Sequence, residues 1–182
     1  VLRLADATPS PWRNGGGVTR ELVAWPCAAD WVWRISVAEV AASGPFSRFE
    51  GVQRWFAVLG GQGVRLKLPD AEHRLTRASA PFQFEGETAV DCELRDGPTQ
   101  DLNLMVRRDR ALARMERIAG VQSRAARAGM VLALYAVDGP ARITGAQEPV
   151  DVPAHSLAWQ VAPAAIEVQV TAPGALWMEI GQ

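Results

Sequence analysis

Ala57-Val58-Leu59-Gly60-Gly61-Gln62-Gly63-Val64-Arg65-Leu66 sets the fold class of this chain. An apolar run meets a glycine-rich break, and a run alternating apolar with charged residues comes directly after it. That alternation has the two-residue period of a strand, and glycine supplies the positive φ that a tight connection needs. The stretch therefore reads as strand, hairpin turn at Gly60-Gly61-Gln62-Gly63, strand. No helix comes after the glycines, so they do not form a phosphate-binding loop.

The same pattern runs outward in both directions. Turn signals recur at Gly44-Pro45, Pro69-Asp70, Asp96-Gly97-Pro98, Asp138-Gly139-Pro140 and Pro173-Gly174. Between them the period-two runs predict strands over Thr19–Trp25, Trp31–Val40, Arg54–Leu59, Val64–Leu68, Thr88–Leu94 and Asp101–Arg107. The second half adds Val131–Val137, Ala141–Ile143, Ser156–Gln160, Ala165–Val170 and Leu176–Ile180. Many short strands at this spacing make an antiparallel all-β protein, a sandwich or barrel. Only Asp109–Ala128 departs. Its Ala, Arg, Leu and Met favour a helix, while Met115-Glu116-Arg117-Ile118 also alternates as a strand.

The opening stretch has an echo. Tyr135-Ala136-Val137-Asp138-Gly139-Pro140-Ala141-Arg142-Ile143 repeats its pattern, and Phe84 and Trp159 correspond at nearly the same offset. This suggests a duplicated β-unit. The expected division is an N-terminal lobe over 1–108, a connector over 109–128 and a C-terminal lobe over 129–182.

The composition narrows the function. A net charge of −1 gives no electrostatic case for nucleic acid or an anionic membrane surface. No apolar run reaches the roughly 18 residues of a membrane span, and no charged-then-apolar leader opens the chain. Cys27 and Cys92 lie far apart without a CxxC, which suits reduced thiols in a cytoplasmic protein. His73 and His155 are the only histidines and belong to no metal-ligand spacing, so His73 reads as a surface turn residue and His155 as a turn or strand-edge residue. No nucleophile elbow is present.

The polar faces of three strands carry more information. Alternation sets Arg34, Ser36 and Ala38 opposite Trp33, Ile35 and Val37. It likewise separates Asp101, Asn103, Met105 and Arg107 from Leu102, Leu104 and Val106, and Thr19, Glu21 and Val23 from Arg20, Leu22 and Ala24. Ser-Ala and Asn-Met faces suit a pocket lining, although a solvent face is the common fate of such strands. Arginines on a lined face offer a charge-assisted fork to a carboxylate. Arg48 and Arg54 flank a turn from which either reaches a cavity mouth or pairs with Glu50. Pro11-Trp12-Arg13-Asn14-Gly15-Gly16-Gly17-Val18-Thr19-Arg20-Glu21 combines an indole, a carboxamide, a hydroxyl and a carboxylate around three glycines. It reads as a pocket wall or as an ordinary turn.

That segment carries a family resemblance. Together with Trp33-Arg34-Ile35-Ser36-Val37-Ala38, Gly44-Pro45-Phe46-Ser47-Arg48-Phe49-Glu50-Gly51-Val52-Gln53-Arg54, Pro81-Phe82-Gln83-Phe84 and Asp101-Leu102-Asn103-Leu104-Met105-Val106-Arg107, it resembles the HutD/Ves family of bacterial cupin-like proteins. The resemblance covers most of the first 107 residues; the C-terminal half shares only a general β pattern. It implies a bicupin, with two antiparallel, jelly-roll-like β-barrel lobes in one chain. It further implies a binding or regulatory role in histidine utilisation, with a small anion of the urocanate or formylglutamate class as ligand.

Carried over by motif, the ligand-facing residues are Trp12, Asn14, Thr19, Glu21, Arg34, Ser36, Arg54, Asn103 and Arg107. Strand alternation selects Arg34, Ser36, Asn103 and Arg107 independently. Metal-dependent cupins gather several histidines in one barrel; this chain has one in each expected lobe, so the expectation is no metal, no cofactor and no assigned catalytic residue. A homodimer through sheet packing fits the resemblance. Two other classes stay open: a metal-independent isomerase or hydrolase with Glu21 or Asp101 as general base, and an assembly module pairing through exposed strand edges.

Overall fold

The structure is a computed structural model that describes residues 1–145 and 148–181. Residues 146, 147 and 182 of the expected C-terminal lobe lie outside the described residues. The described chain is all-β, with one 3-10 turn at Leu4–Asp6 and no α-helix. No helix among the described residues is long and apolar enough to cross a membrane.

In chain order the strands are β1 (Leu2–Arg3), β2 (Pro9–Pro11), β3 (Gly17–Trp25), β4 (Trp33–Val40), β5 (Gly44–Pro45) and β6 (Val52–Gly60). Next come β7 (Val64–Lys67), β8 (Glu72–Leu75), β9 (Phe82–Glu85), β10 (Asp91–Leu94), β11 (Thr99–Arg107) and β12 (Leu112–Ala126). The last are β13 (Val131–Ala136), β14 (Ala141–Gly145), β15 (Val150–Val152), β16 (Ser156–Val161) and β17 (Ile166–Gly181). Contacts divide the chain into two compact units, Ala7–Arg110 and Val1–Asp6 with Ala111–Gln182.

The Ala7–Arg110 unit holds two antiparallel sheets. One has the order β2-β3-β4-β11-β6-β9 and the other β5-β10-β7-β8. Val40, Phe56, Val58 and Phe84 of the first pack with Val64, Leu66, Leu75 and Cys92 of the second, forming an apolar core between them. The second unit is one curled sheet, β1-β16-β13-β17-β14-β15, with β12 also on β17. Its core gathers Ile118, Leu132, Leu134, Val152, Val168, Val170 and Trp177.

The fold-setting stretch is strand–turn–strand, but not a hairpin. β6 pairs β11 and β9, whereas β7 pairs β10 and β8 in the other sheet. Gly60–Gly63 therefore carries the chain across from one sheet to the other. Glycine is required for packing as much as for turning: a Cβ on Gly61 (φ +84°) would lie 2.5 Å from the Pro98 carbonyl oxygen, and one on Gly63 (φ +94°) 2.2 Å from that of Leu75. The echo at Asp138-Gly139-Pro140 also joins strands that do not pair. β13 and β14 bind separate stretches of β17, residues 175–180 and 168–171.

That separation corrects a second expectation. Ala165–Val170 and Leu176–Ile180 belong to one long strand, β17, which continues through Pro173-Gly174. Its partner is β12, so residues 109–128 are mainly strand. Helix propensity is a difference of tenths of a kcal/mol per residue, and a ladder on a ready partner outweighs it. Gly120 (φ +73°) sits at the register shift in β12. His73 is not a turn residue either; it lies in β8 with its ring 4.2 Å from that of Phe82. His155 does sit in a turn, at φ +54°.

Candidate functional site

Four adjacent strands of the six-stranded sheet, β3-β4-β11-β6, build one wall of a cavity of about 630 Å³. Register places their side chains in rungs. Thr19, Ala38 and Asp101 form one, and Glu21, Ser36 and Asn103 the next. Arg34, Met105 and Arg54 form the third. Two strand spacings separate Arg34 from Arg54 along it, about 10 Å between backbones. Two loops complete the cavity: Ser10–Asn14 and Pro45–Phe49, which contributes Phe46, Ser47 and Phe49.

The glycine run shapes the first loop. It is the tip of the β2–β3 hairpin, closed by the Trp12 N–H donating to the Gly17 carbonyl at 2.9 Å. Gly16 N–H donates to Asn14 Oδ1 at 3.0 Å, so the carboxamide is partly committed to the turn. Gly17 has no room for a side chain, since its Cβ would stand 2.4 Å from the Glu39 carbonyl oxygen and 3.2 Å from the Trp12 ring. Trp12 lies against the hairpin instead and donates Nε1–H to Thr19 Oγ1 at 2.8 Å. The run is thus both a turn and a pocket wall.

Arg54 dominates the floor of the cavity. It is 5% exposed, and its guanidinium lies over the rings of Phe84, Phe46 and Phe49 at 4.9, 5.2 and 5.7 Å. Nη2 donates to Asn103 Oδ1 at 2.9 Å and Nη1 to the Ser47 carbonyl at 3.2 Å, while Nε has no partner. Burial pulls its pKa down to about 10, against the opposing pull of Asp101; the Arg34 charge lowers it further. Arg34 faces the same space, with its guanidinium 5.6 Å from the Trp31 ring and 5.9 Å from the Phe49 ring. Its Nε also lacks a partner, and Nη1 stands 3.8 Å from Glu21 Oε2.

Asp101 is fully buried in the same wall. Asn103 Nδ2 donates to its Oδ1 at 2.6 Å, and Oδ2 has no partner. Burial raises its pKa to about 8, outweighing the nearby Arg54 charge and the Asn103 hydrogen bond. The carboxyl is therefore mostly protonated at neutral pH.

Of the nine residues selected from sequence, the cavity brings together Trp12, Asn14, Thr19, Arg34, Ser36, Arg54 and Asn103. Glu21 and Arg107 stand outside it. Glu21 is on the correct rung, but it is exposed and turned toward Arg34, just before a bulge at Leu22. Arg107, at the far end of β11, donates Nε–H to the Trp31 carbonyl at 2.9 Å and lies 5.2 Å from that ring. Arg48 is exposed and does not line the cavity. Phe46, Ser47, Phe49 and Arg13 line it too; they lie within the motifs of the family resemblance, but strand alternation could not select them, because a loop has no periodicity. Among the described residues, no group of three or more His, Cys, Asp or Glu is placed to hold a metal ion.

The HutD family model matches residues 4–178. Protein Ves of Citrobacter koseri is 42% identical over 106 residues, which cover 57% of this chain and 56% of that protein. An uncharacterized 21.2 kDa protein from the hutC 3' region of Pseudomonas putida is 37% identical over 118 residues, 64% of this chain and 62% of that one. Both matches thus span less than two thirds of the curated relatives. Among solved structures, HutD from Pseudomonas fluorescens SBW25, in a formate condition, superposes with a TM-score of 0.89 at 30% identity, covering 100% of this chain and 97% of that one. A cupin 2 conserved barrel domain protein from Leptotrichia buccalis superposes with a TM-score of 0.60 at 10% identity, covering 99% of each, a likeness of fold alone.

Proposed function

Because the chain belongs to the HutD family, we propose that its Ala7–Arg110 unit is a metal-free binding lobe for a small carboxylate, acting in regulation of histidine utilisation. The ligand class is that of urocanate or formylglutamate, and the hutC-region relative supports the link to that process. The observation that carries the reading is the Arg34–Met105–Arg54 rung. Two guanidiniums enter one cavity from a single rung, each backed by aromatic faces and each with an unpartnered Nε–H. A guanidinium in a partly dry cavity is the strongest side-chain partner for a carboxylate. Ser36, Asn103 and Thr19 add neutral hydrogen-bonding groups, and Trp12 an apolar wall.

We read the two compact units as the two cupin-like lobes of a cytoplasmic protein able to form a homodimer. Calorimetry with urocanate and formylglutamate tests the binding function. Saturable heat is expected with one of them, weakened at least tenfold by Arg34→Ala. No heat with either ligand refutes the carboxylate reading.

The enzyme reading, general-base catalysis, draws on Asp101 in the cavity wall, whose carboxyl takes that role only once ionised, above about pH 8. It requires slow conversion of a bound ligand, lost in Asp101→Asn while binding persists. Glu21 is a poorer base for it, being exposed and turned toward Arg34.

A further inference from the structure

We infer that Asp101 works in this cavity as a carboxylic acid, donating its Oδ2–H to the bound anion, so that the occupied site holds a small carboxylate together with one proton, which binding draws from solvent where the free Asp101 is ionised. This rests on the reading of the cavity as a carboxylate site.

The hydrogen-bond order around Asn103 leads to it. Arg54 can only donate, so the Asn103 oxygen must face it. The Asn103 amino group is thereby turned to Asp101, where it donates to Oδ1. Arg54 spends its other hydrogen bond on the Ser47 carbonyl. Arg54, the cation whose charge acts on Asp101, is therefore linked to it by hydrogen bonds only through a neutral amide. An ionised, fully buried carboxylate with a single donor would be poorly solvated. The acid form has a donor left to give, on an oxygen with no partner in the wall of the cavity.

The charges around Asp101 favour the same arrangement. Arg34 on β4 and Arg54 on β6 face the cavity, as does Arg13 on the β2–β3 loop. Glu21 on β3 is turned to Arg34. On β10, burial holds the Cys92 thiol neutral, its pKa pushed up to about 12, and Glu93 pairs with Lys67 and Arg65. A ligand carboxylate held by Arg34 and Arg54 adds a negative charge to this space. An ionised Asp101 would repel it. The protonated acid removes that repulsion and adds an O–H···O⁻ hydrogen bond, the proton coming from bulk solvent.

Two measurements on the whole chain test the inference. Carboxyl ¹³C NMR of the ligand-free protein, with the Asp101 resonance identified by Asp101→Asn, should show the acid form at pH 6.5. Calorimetry with formylglutamate, which has no group titrating between pH 7 and 9, is run in buffers of different ionisation heat. At pH 8.5 binding should take up most of one proton, and Kd should weaken about tenfold from pH 7 to pH 9. Asp101→Asn, which keeps a donor at that position, should bind with a flat pH profile. An Asp101 resonance that titrates below pH 5, or wild-type binding with no proton uptake, overturns the inference and leaves the carboxylate site standing. Absence of binding by formylglutamate and urocanate at every pH overturns both.

Discussion

Replacing Asp101 by Asn in the ligand-free protein should change how stability depends on pH. The folded protein holds this carboxyl at about 8, against an ordinary value of 3.8, because burial disfavours the charge. Between those values the folded state binds more protons than the unfolded one, so wild-type stability falls as pH rises. The contribution is complete below about pH 3.8 and is lost as pH rises through about 8, at about 1.4 kcal/mol per pH unit. Asn keeps the acceptor for Asn103 Nδ2 and the shape of the side chain, but it has nothing to titrate. Relative to wild type, the variant should therefore gain about 3 kcal/mol between pH 5 and pH 7. Urea unfolding of both proteins at pH 5, 6, 7 and 8 measures this, because the other carboxylates cancel in the difference. A difference constant to within about 0.5 kcal/mol over that range would refute the claim that Asp101 is buried as an acid.

Gly17→Ala should cost about 2 kcal/mol or more, since the new methyl meets the Glu39 carbonyl and the Trp12 ring, and a several-degree fall in Tm would register it. Leu134→Ala, at a fully buried position in the core of the second unit, should destabilise by about 3 kcal/mol in urea unfolding. Both cysteines are free, with Cys27 exposed and Cys92 buried and held protonated. A thiol reagent at pH 8 should thus label one site per native chain quickly and the second only on unfolding; rapid labelling of both would contradict the burial of Cys92.

The wall of the cavity was legible in the sequence because a strand's period of two is a local property. Arg34-x-Ser36-x-Ala38 and Asp101-x-Asn103-x-Met105 face one way in any strand that contains them, and the structure sets both sets on the cavity side. The same rule misplaced Arg107, because alternation gives a direction and not a position along the sheet. At the end of β11 the side chain has reached Trp31, beyond the cavity. It also failed for Glu21, whose neighbour Leu22 bulges out of the ladder and changes the face that Val23 and Ala24 present.

By itself, then, the sequence determined the all-β class, which side chains share a face of each strand, and the family resemblance. Those arise from periodicity and from motifs a few residues long. Tertiary structure alone decided which strands pair. Gly60–Gly63 has the composition of a hairpin but crosses between sheets, because β11 and β10 compete for β6 and β7 and win. Residues 112–126 became a strand because β17 offered them a full-length ladder. The state of Asp101 was likewise beyond sequence, since a carboxyl's proton affinity depends on the water and charges around it, and those are set by chain segments remote from it in sequence.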